Sequence, residues 1–306
     1  MKHLDYRALA VLEAVASHGS FDKAALALGI TQPAVSQRIK ALEDASGRLL
    51  IVRGQPALPT GLGQRLITHY RHVKLMEASL DIDLGRQLSM PEIAVAVDAG
   101  SLSTWFPDSL AALMAPPRCQ LDVRLADSAT ALQLVRDGSV FACVAAAPEA
   151  EADSAAAAEA GPAGGAVATA LGMLQYVCVA TPAFAGHWFG DGFSAEAAQL
   201  APAVVSDAGL MARFLGEQLA MHEAFPHHTL PAAAALEACI AGGLAYGLMP
   251  LRRAAAGLAS EQLVELLPGR SLNVPLSWFT WNLDTPFTKL LSEQVVGSAR
   301  AYLPQR

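Results

Sequence analysis

Between Ser20 and Ser46 the chain reads SFDKAALALGITQPAVSQRIKALEDAS. Phe21, Ala24, Ala25 and Leu28 recur with the spacing of one apolar stripe on a short helix. Ser20 can cap its first turn, Asp22 suits the positive end of its dipole, and Gly29 follows the last apolar residue as a stop. Thr31 can cap a second helix, with Pro33 in the first turn, where a missing N–H is harmless. At about 100° per residue, Val35, Ile39 and Leu42 gather on one side of it. Pro33, Ser36, Gln37 and Lys40 gather on the other. A single amphipathic helix is explained by solvation alone. Two of them joined through Gly29-Ile30-Thr31, with a third ahead, predict a helix-turn-helix over 21–40 whose second helix enters a major groove. There an amide, a hydroxyl and an ammonium can bond base edges or phosphates.

The flanks fit that reading. Ala8, Val11, Leu12 and Val15 form the apolar face of a supporting helix that ends near His18-Gly19. Leu49–Val52 is β-prone and Gln55–Pro59 turns the chain back, as in a two-stranded wing with Arg53 at its tip. An arginine beside Gly54 also suits an ordinary soluble loop, so Arg53 by itself decides nothing. Thr60 begins a long helix running to about Leu88. Leu62, Leu66, Tyr70, Val73, Met76 (or Glu77), Leu80 and Leu84 mark a seam along it, economically explained by pairing with a second subunit. His69 and His72 lie three apart on this helix, but no third ligand is near and no metal site is expected.

TQPAVSQRIKALEDASG followed by LLIVRG resembles the DNA-binding domain of the LysR-type transcriptional regulators. The opening DYRALAVLEAVASHGSFDKAA is similar to the ArgP/LysG (IciA) branch, whose members regulate basic amino-acid export and related genes. The resemblance implies a winged helix-turn-helix domain over residues 1–60 and a linker and dimerisation helix over 61–88. It also implies a two-lobed effector domain over 89–306, with lobe I at about 91–165 and 270–306 and lobe II at about 166–269. The implied partners are double-stranded DNA, a second copy or a tetramer of the chain, a small effector and RNA polymerase. The residues expected to touch DNA are Thr31, Gln32, Pro33, Ser36, Gln37, Lys40 and Arg53.

Past Pro91 the pattern changes. Ile93–Val97, Leu121–Leu125 and Val140–Val144 read as strands, with helices at Trp105–Met114 and Ala129–Arg136 between them. That order predicts a parallel sheet with helices on both faces. A second group follows: strands at Leu174–Ala180, Ala203–Ser206 and Tyr246–Met249, and a helix near Ala232–Ile240. Val274–Trp281 and Phe287–Tyr302 read as a last strand and helix. Two α/β lobes around a cleft, similar to periplasmic binding proteins, is the natural assembly, with ligands beyond the C-terminal strand ends. Ala145–Ala170, rich in Ala, Gly and Glu, fits either a loose helix or a surface insertion.

In VAVDAGSLSTWFP a strand gives way to a helix at Asp98–Thr104. Its amides and the hydroxyls of Ser101, Ser103 and Thr104 suit a carboxylate, although such residues also simply cap helices. The resemblance makes this the effector-binding turn. Asp127 and Asp207, each just past a strand, can face the cleft and receive an ammonium, or serve as caps. Regulators of the branch tend to carry a second acid where this chain has Gly100, and a polar run where it has Pro231-Ala232-Ala233-Ala234. A lysine or arginine side chain needs buried counter-charge. These departures therefore predict an effector that is smaller, more apolar or less basic, held by its carboxylate.

Charge sharpens the division of labour. The chain has 21 Lys/Arg against 28 Asp/Glu, yet residues 1–74 carry ten of the basic and only five of the acidic side chains. A basic module on an acidic body binds nucleic acid through one end. Cys119, Cys143, Cys178 and Cys239 show no ligand spacing and read as buried thiols of a cytoplasmic protein. The N-terminus carries Asp5 and Arg7 where a signal peptide needs an apolar core. The uncharged run Ala160–Gly190 is broken by Gly161, Pro162, Gly164, Gly165 and Pro182, which excludes a spanning helix. No nucleotide loop, catalytic triad or cofactor motif stands out, so no enzyme and no cofactor are expected. The alternatives are an architectural DNA-binding protein with little effector response and, further off, a solute-binding protein or enzyme with a helical appendage.

Overall fold

Local chemistry sets the N-terminal elements, in a computed structural model that describes residues 4–83, 92–114, 119–146, 166–283 and 285–305, without the side chains of 81–83. Helix α1 (Tyr6–His18) is capped by Asp5, α2 (Phe21–Leu28) by Ser20 and α3 (Gln32–Ser46) by Thr31. A left-handed glycine ends each one: Gly19, Gly29 and Gly47. Strands β1 (Ile51–Val52) and β2 (Leu58–Pro59) pair antiparallel as the wing, and α4 (Gly61–Asp83) follows. Leu9, Leu12, Val15, Ala24, Val35, Ile39, Leu50, Leu66 and Ile67 form one buried core.

The expected seam on α4 divides in two. Leu66 is buried, and Leu62 and Tyr70 pack partly, against the N-terminal core of the same chain. Met76 and Leu80 are 44% and 57% exposed, as a surface awaiting a partner would be; Leu84 lies outside the described residues. Thr68, Leu75 and Ser79, which a three-and-four stripe does not pick out, are buried instead, Leu75 in the core of the effector domain. One helix thus serves two interiors in its own chain and keeps a third face free.

The effector domain begins with β3 (Glu92–Val97), the single turn α5 (Ala99–Ser103), a 3-10 turn at Phe106–Leu110 and α6 (Ala111–Met114). The one helix expected over Trp105–Met114 is therefore two short pieces, Pro107 falling in the first of them. Then come β4 (Gln120–Leu125), α7 (Ser128–Arg136) and β5 (Ala142–Ala146). Beyond β6 (Ala166–Ala180) lie α8 (Pro182–Trp188), α9 (Ala195–Ala198), β7 (Ala203–Val205), α10 (Ala208–Leu219) and β8 (His227–Thr229). The chain ends through α11 (Ala233–Ala241), β9 (Tyr246–Pro250), α12 (Leu251–Ala259), β10 (Val264–Glu265), β11 (Leu272–Trp281) and α13 (Pro286–Tyr302).

The first three strands of the domain pair parallel, as their β-α-β-α-β order predicts, within a sheet that is mixed as a whole. Its order is β4-β3-β5-β11-β6-β9-β7-β8, with β10 paired to β6. The pairs β3·β4, β3·β5, β7·β8 and β7·β9 are parallel. Every pair involving β6 or β11 is antiparallel. These two strands carry the chain between the lobes and so run against the parallel groups. Their register shifts between Leu276 and Ser277, opposite Gly172, which has φ 128°. On one side of that bulge β11 and β5 complete lobe I; on the other, β6 pairs with β9 of lobe II.

Within the described residues, the apolar run considered as a spanning segment is strand β6 followed by helix α8. No helix of the described residues is long and apolar enough to cross a membrane. Most of the ambiguous stretch Ala145–Ala170 lies outside the described residues. Of the four thiols, Cys143 and Cys178 are buried while Cys119 and Cys239 are partly exposed, so only two match the expected burial. Burial pushes the Cys143 thiol up to about 12, so it stays protonated and inert.

Candidate nucleic-acid interface and effector cleft

The N-terminal end presents a continuous polar surface. Thr31 Oγ1 accepts from Ala34 N at 3.4 Å, starting α3, and Gln32 Nε2 donates to Ser36 Oγ at 3.2 Å. Thr31, Gln32, Pro33, Gln37 and Lys40 are exposed along the same helix and Ser36 is half-buried. The buried side is Val35, Ile39 and Leu42. Arg53 follows β1 directly, exposed, with its guanidinium 5.4 Å from the centre of the Phe21 ring. Stacking of this kind restrains a long side chain at small cost.

Glu43 is a residue that the sequence reading passed over. Its Oε1 accepts from Leu50 N at 2.8 Å and from Ile51 N at 3.3 Å, tying the end of α3 to the first wing strand. The signal was an acid at the end of an otherwise DNA-facing helix. A carboxylate there repels phosphates unless backbone N–H groups claim it. Thr60 Oγ1 bonds Leu49 O at 2.9 Å, and a Cβ on Gly63 would stand 2.1 Å from Leu50 O. Helix α4 therefore presses on the wing at a distance only glycine permits.

At the other end, α5 sits where β3 leaves the sheet and faces lobe II. Asp98 Oδ1 accepts from Ser101 N at 2.9 Å as the N-cap. Ser103 and Thr104 turn inward to their own backbone, each hydroxyl donating to Gly100 O, at 3.1 and 2.6 Å. Both hydroxyl protons are thus engaged within the turn. Asp98 Oδ2, Ser101 Oγ and Trp105 Nε1, by contrast, are buried with no hydrogen-bond partner among the described residues. Burial raises the Asp98 carboxyl above its ordinary range, against the opposing bonds from Ser101.

Tyr176 of β6 reaches this turn from the side. A Cβ on Gly100 would stand 1.9 Å from the Tyr176 hydroxyl and 2.9 Å from Leu174 Cδ2, so the tyrosine fills the space a side chain at position 100 would take. Burial pushes the Tyr176 phenol well up, and the charges of Asp98 and Asp207 push it further. Asp207 caps α10 through Gly209 N at 2.7 Å and is exposed. The charges of Asp98 in lobe I and Asp207 in lobe II thus both act on Tyr176. Asp127 is an exposed cap of α7, bonded to Thr130 N at 2.8 Å and to the Thr130 hydroxyl at 3.1 Å, and is not one of those two charges. Helix α11, which starts in Pro231–Ala234, approaches α5 with Cα atoms within 8 Å. The elements that carry the two departures from the branch pattern, α5 and α11, are thus neighbours across the lobes.

The two histidines of α4 are engaged separately. His69 Nε2 lies 3.0 Å from the Tyr6 hydroxyl, and the His72 ring stands edge-on to Trp281 at 4.8 Å. Burial, then the charge of His69, lowers the His72 pKa to about 4. Among the described residues, no group of three or more His, Cys, Asp and Glu comes together to hold a metal.

Comparison with known proteins bears on both ends. The profile of the bacterial regulatory helix-turn-helix proteins of the lysR family matches residues 6–64. The transcriptional regulator ArgP of Pseudomonas aeruginosa strain UCBPP-PA14 is 37% identical over 303 residues, covering 96% of each chain. The crystal structure of ArgP from Mycobacterium tuberculosis superposes with a TM-score of 0.84 at 32% identity, covering 99% of this chain and 100% of that one. Full-length LysG of Corynebacterium glutamicum with bound effector Arg superposes at 0.75 and 29% identity, over 98% of this chain and 100% of that one. The matches run through the effector lobes as well as the N-terminal helices, which leaves no role for an architectural protein or an enzyme with a helical appendage. The chain belongs to the LysR family of helix-turn-helix transcriptional regulators and is similar over its whole length to the ArgP/LysG branch.

Proposed function

We propose that this DNA-binding regulator acts as a homodimer or homotetramer whose operator affinity is set by a free α-amino acid held between the lobes at α5. The observation that carries the effector reading is the set of unpartnered atoms: one buried acceptor, Asp98 Oδ2, and two buried donors, Ser101 Oγ and Trp105 Nε1. Buried polar groups normally find partners, and each one left alone costs about 1–3 kcal/mol. An α-ammonium complements the carboxylate, and an α-carboxylate complements the hydroxyl and the indole N–H. Ser101 and Trp105 are fully buried, so entry requires the lobes to part.

The side chain of that amino acid meets Tyr176, Gly100 and the apolar start of α11. The hydroxyl of Tyr176 stands where a second acid at position 100 would be, which leaves Asp207 as the counter-charge near it. This favours a small neutral amino acid over lysine or arginine, although LysG carries Arg. At the DNA, Thr31, Gln32, Pro33, Ser36 and Gln37 lie in the major groove, while Lys40 and Arg53 hold phosphates. Dimerisation uses the exposed face of α4 at Met76 and Leu80. Symmetric half-sites, and contact with RNA polymerase beside them, belong to this reading.

Titration calorimetry on the full chain tests the effector. Alanine, serine, valine, lysine and arginine are titrated in turn. Micromolar binding of a neutral amino acid, lost in Ser101→Ala, is the expected result. Tight binding of lysine or arginine with none of the neutral ones would overturn the side-chain assignment and leave the zwitterion site standing.

A further inference from the structure

The carbonyls of the last turn of a helix have no partner within it and carry the negative end of its dipole. In α7 the turn that follows meets them, Gly138 N donating to Val135 O and Ser139 N to Leu134 O, each at 2.9 Å, and the carbonyls at and just past the helix end are bonded by other parts of the chain as well. Val135 O accepts from Trp281 Nε1 at 2.9 Å. Asp137 O accepts from Gln64 Nε2 and from the Thr68 hydroxyl, both on α4. Gly138 O accepts from Arg71 Nη1 at 3.3 Å. The other amino nitrogen of Arg71 reaches α1, donating to Glu13 Oε1 at 2.9 Å and to Ser17 Oγ at 3.2 Å. One guanidinium thus spans the linker helix, lobe I and the helix-turn-helix domain.

The fit around it is close at the clamp and open beside it. Gly138 has φ 63°, and a Cβ there would stand 2.3 Å from Thr68 Cγ2. Next to the clamp a cavity of about 910 Å³ separates α1 and α4 from β3 and the turn after α7, lined by Ser17, Leu75, Ile93 and Phe141 among others. Beside the cavity the apolar contact of α4 with lobe I runs through Leu75, and directional bonds make up the rest of the joint. The far end of α7 is anchored at the strand ends of lobe I, where Ser128 Oγ accepts from Ala146 N at 2.9 Å and Asp127 caps the helix. A nine-residue helix spans about 13 Å.

We infer that Arg71, with Gln64 and Thr68, is a positioning clamp on the Asp137 and Gly138 carbonyls that close the C-terminal end of α7, through which lobe I sets the orientation of the helix-turn-helix domain. Helix α7 is the strut between the strand ends of lobe I and that clamp. The inference rests on the dimeric DNA-binding reading only for its DNA readout.

The test uses the full chain as wild type, Arg71→Ala, Arg71→Lys and Gly138→Ala. Hydrogen exchange reads the clamp directly. Amides of residues 134–140 and of α1 should exchange at least about tenfold faster in Arg71→Ala and Gly138→Ala, as loss of several bonds allows. Arg71→Lys, with a single donor group, should fall between. DNA binding is read on a duplex selected by the wild type from random sequence, and on the same duplex with half-sites moved by about five base pairs, half a helical turn. Both clamp variants should keep the affinity for a single half-site and narrow the preference between spacings by about fivefold or more, consistent with one or two lost hydrogen bonds. Unchanged exchange in both variants overturns the inference. So does a loss of affinity for the single half-site in parallel with a lowered melting temperature, which would make Arg71 merely structural. If the wild type itself ignores spacing, the symmetric-dimer reading fails and the exchange result still judges the clamp.

Discussion

A carboxyl group withdrawn from water with one oxygen lacking a hydrogen-bond partner is expensive to keep, and Asp98 is kept in that state. Its folded pKa lies above the ordinary carboxylate value because burial outweighs the bonds from Ser101. The native chain then holds a proton that the unfolded chain has already released. Stability from this group therefore falls as pH rises above the ordinary carboxylate value, and levels off beyond the folded one. Asp98→Asn keeps a good cap and removes the titration. Urea unfolding of both proteins from pH 4 to pH 7 should show the variant gaining on the wild type as pH rises. A difference that stays flat across that window would mean that Asp98 is already ionised in the folded chain. The same residue was legible as a cap or a ligand. What sequence alone could not supply was Tyr176, 76 positions after Gly100 and on another strand, whose hydroxyl occupies the space beside α5.

Elements marked by caps and stops as well as by an apolar stripe were readable, and several without those marks were not. Helices α1 to α3 carry Leu, Val, Ile and Phe against charged residues, with Ser, Thr or Asp at the start and Gly at the end. Helices α8 and α12 escape because each is short, seven and nine residues, and neither gives three full turns of pattern to read. α10 escapes because Gly209 and Gly216 interrupt its pattern. The wing was legible as a β-prone run and a turn, but the tie from Glu43 to Leu50 and Ile51 was not. At this scale the recognition surface makes a divided prediction. Ser36→Ala and Gln37→Ala should shift sequence preference by about 1–3 kcal/mol while leaving the salt dependence of binding alone. Lys40→Ala and Arg53→Ala should weaken binding to all sequences and reduce the slope of log affinity against log salt by about one each. Anisotropy titrations at several salt concentrations separate the two pairs, and equal slopes in all four would remove the distinction between base and phosphate contacts.

In the whole molecule the lobes share one sheet, joined by β6 and β11, and the register of that pair changes beside Gly172. With φ 128° and a would-be Cβ 2.8 Å from Leu303 Cβ, this position admits little but glycine. Gly172→Ala should lower stability by about 1–3 kcal/mol through strain and crowding, read by urea unfolding. If the stability is unchanged, the bulge tolerates a side chain and is no special joint. Periodicity, caps and charge asymmetry are properties of neighbours along the chain, and they were enough for a DNA-reading end, a linker helix and an α/β body. The mixed sheet, the filling of the Gly100 space by Tyr176 and the grip of Arg71 on α7 join residues dozens of positions apart. Such pairings depend on how the elements close on one another in three dimensions, where short-range pattern carries no information. A DNA-reading end and the motif that resembles the LysR family were thus written locally, while the mixed sheet and the contacts around Gly100 and Arg71 were decided only in the packed molecule.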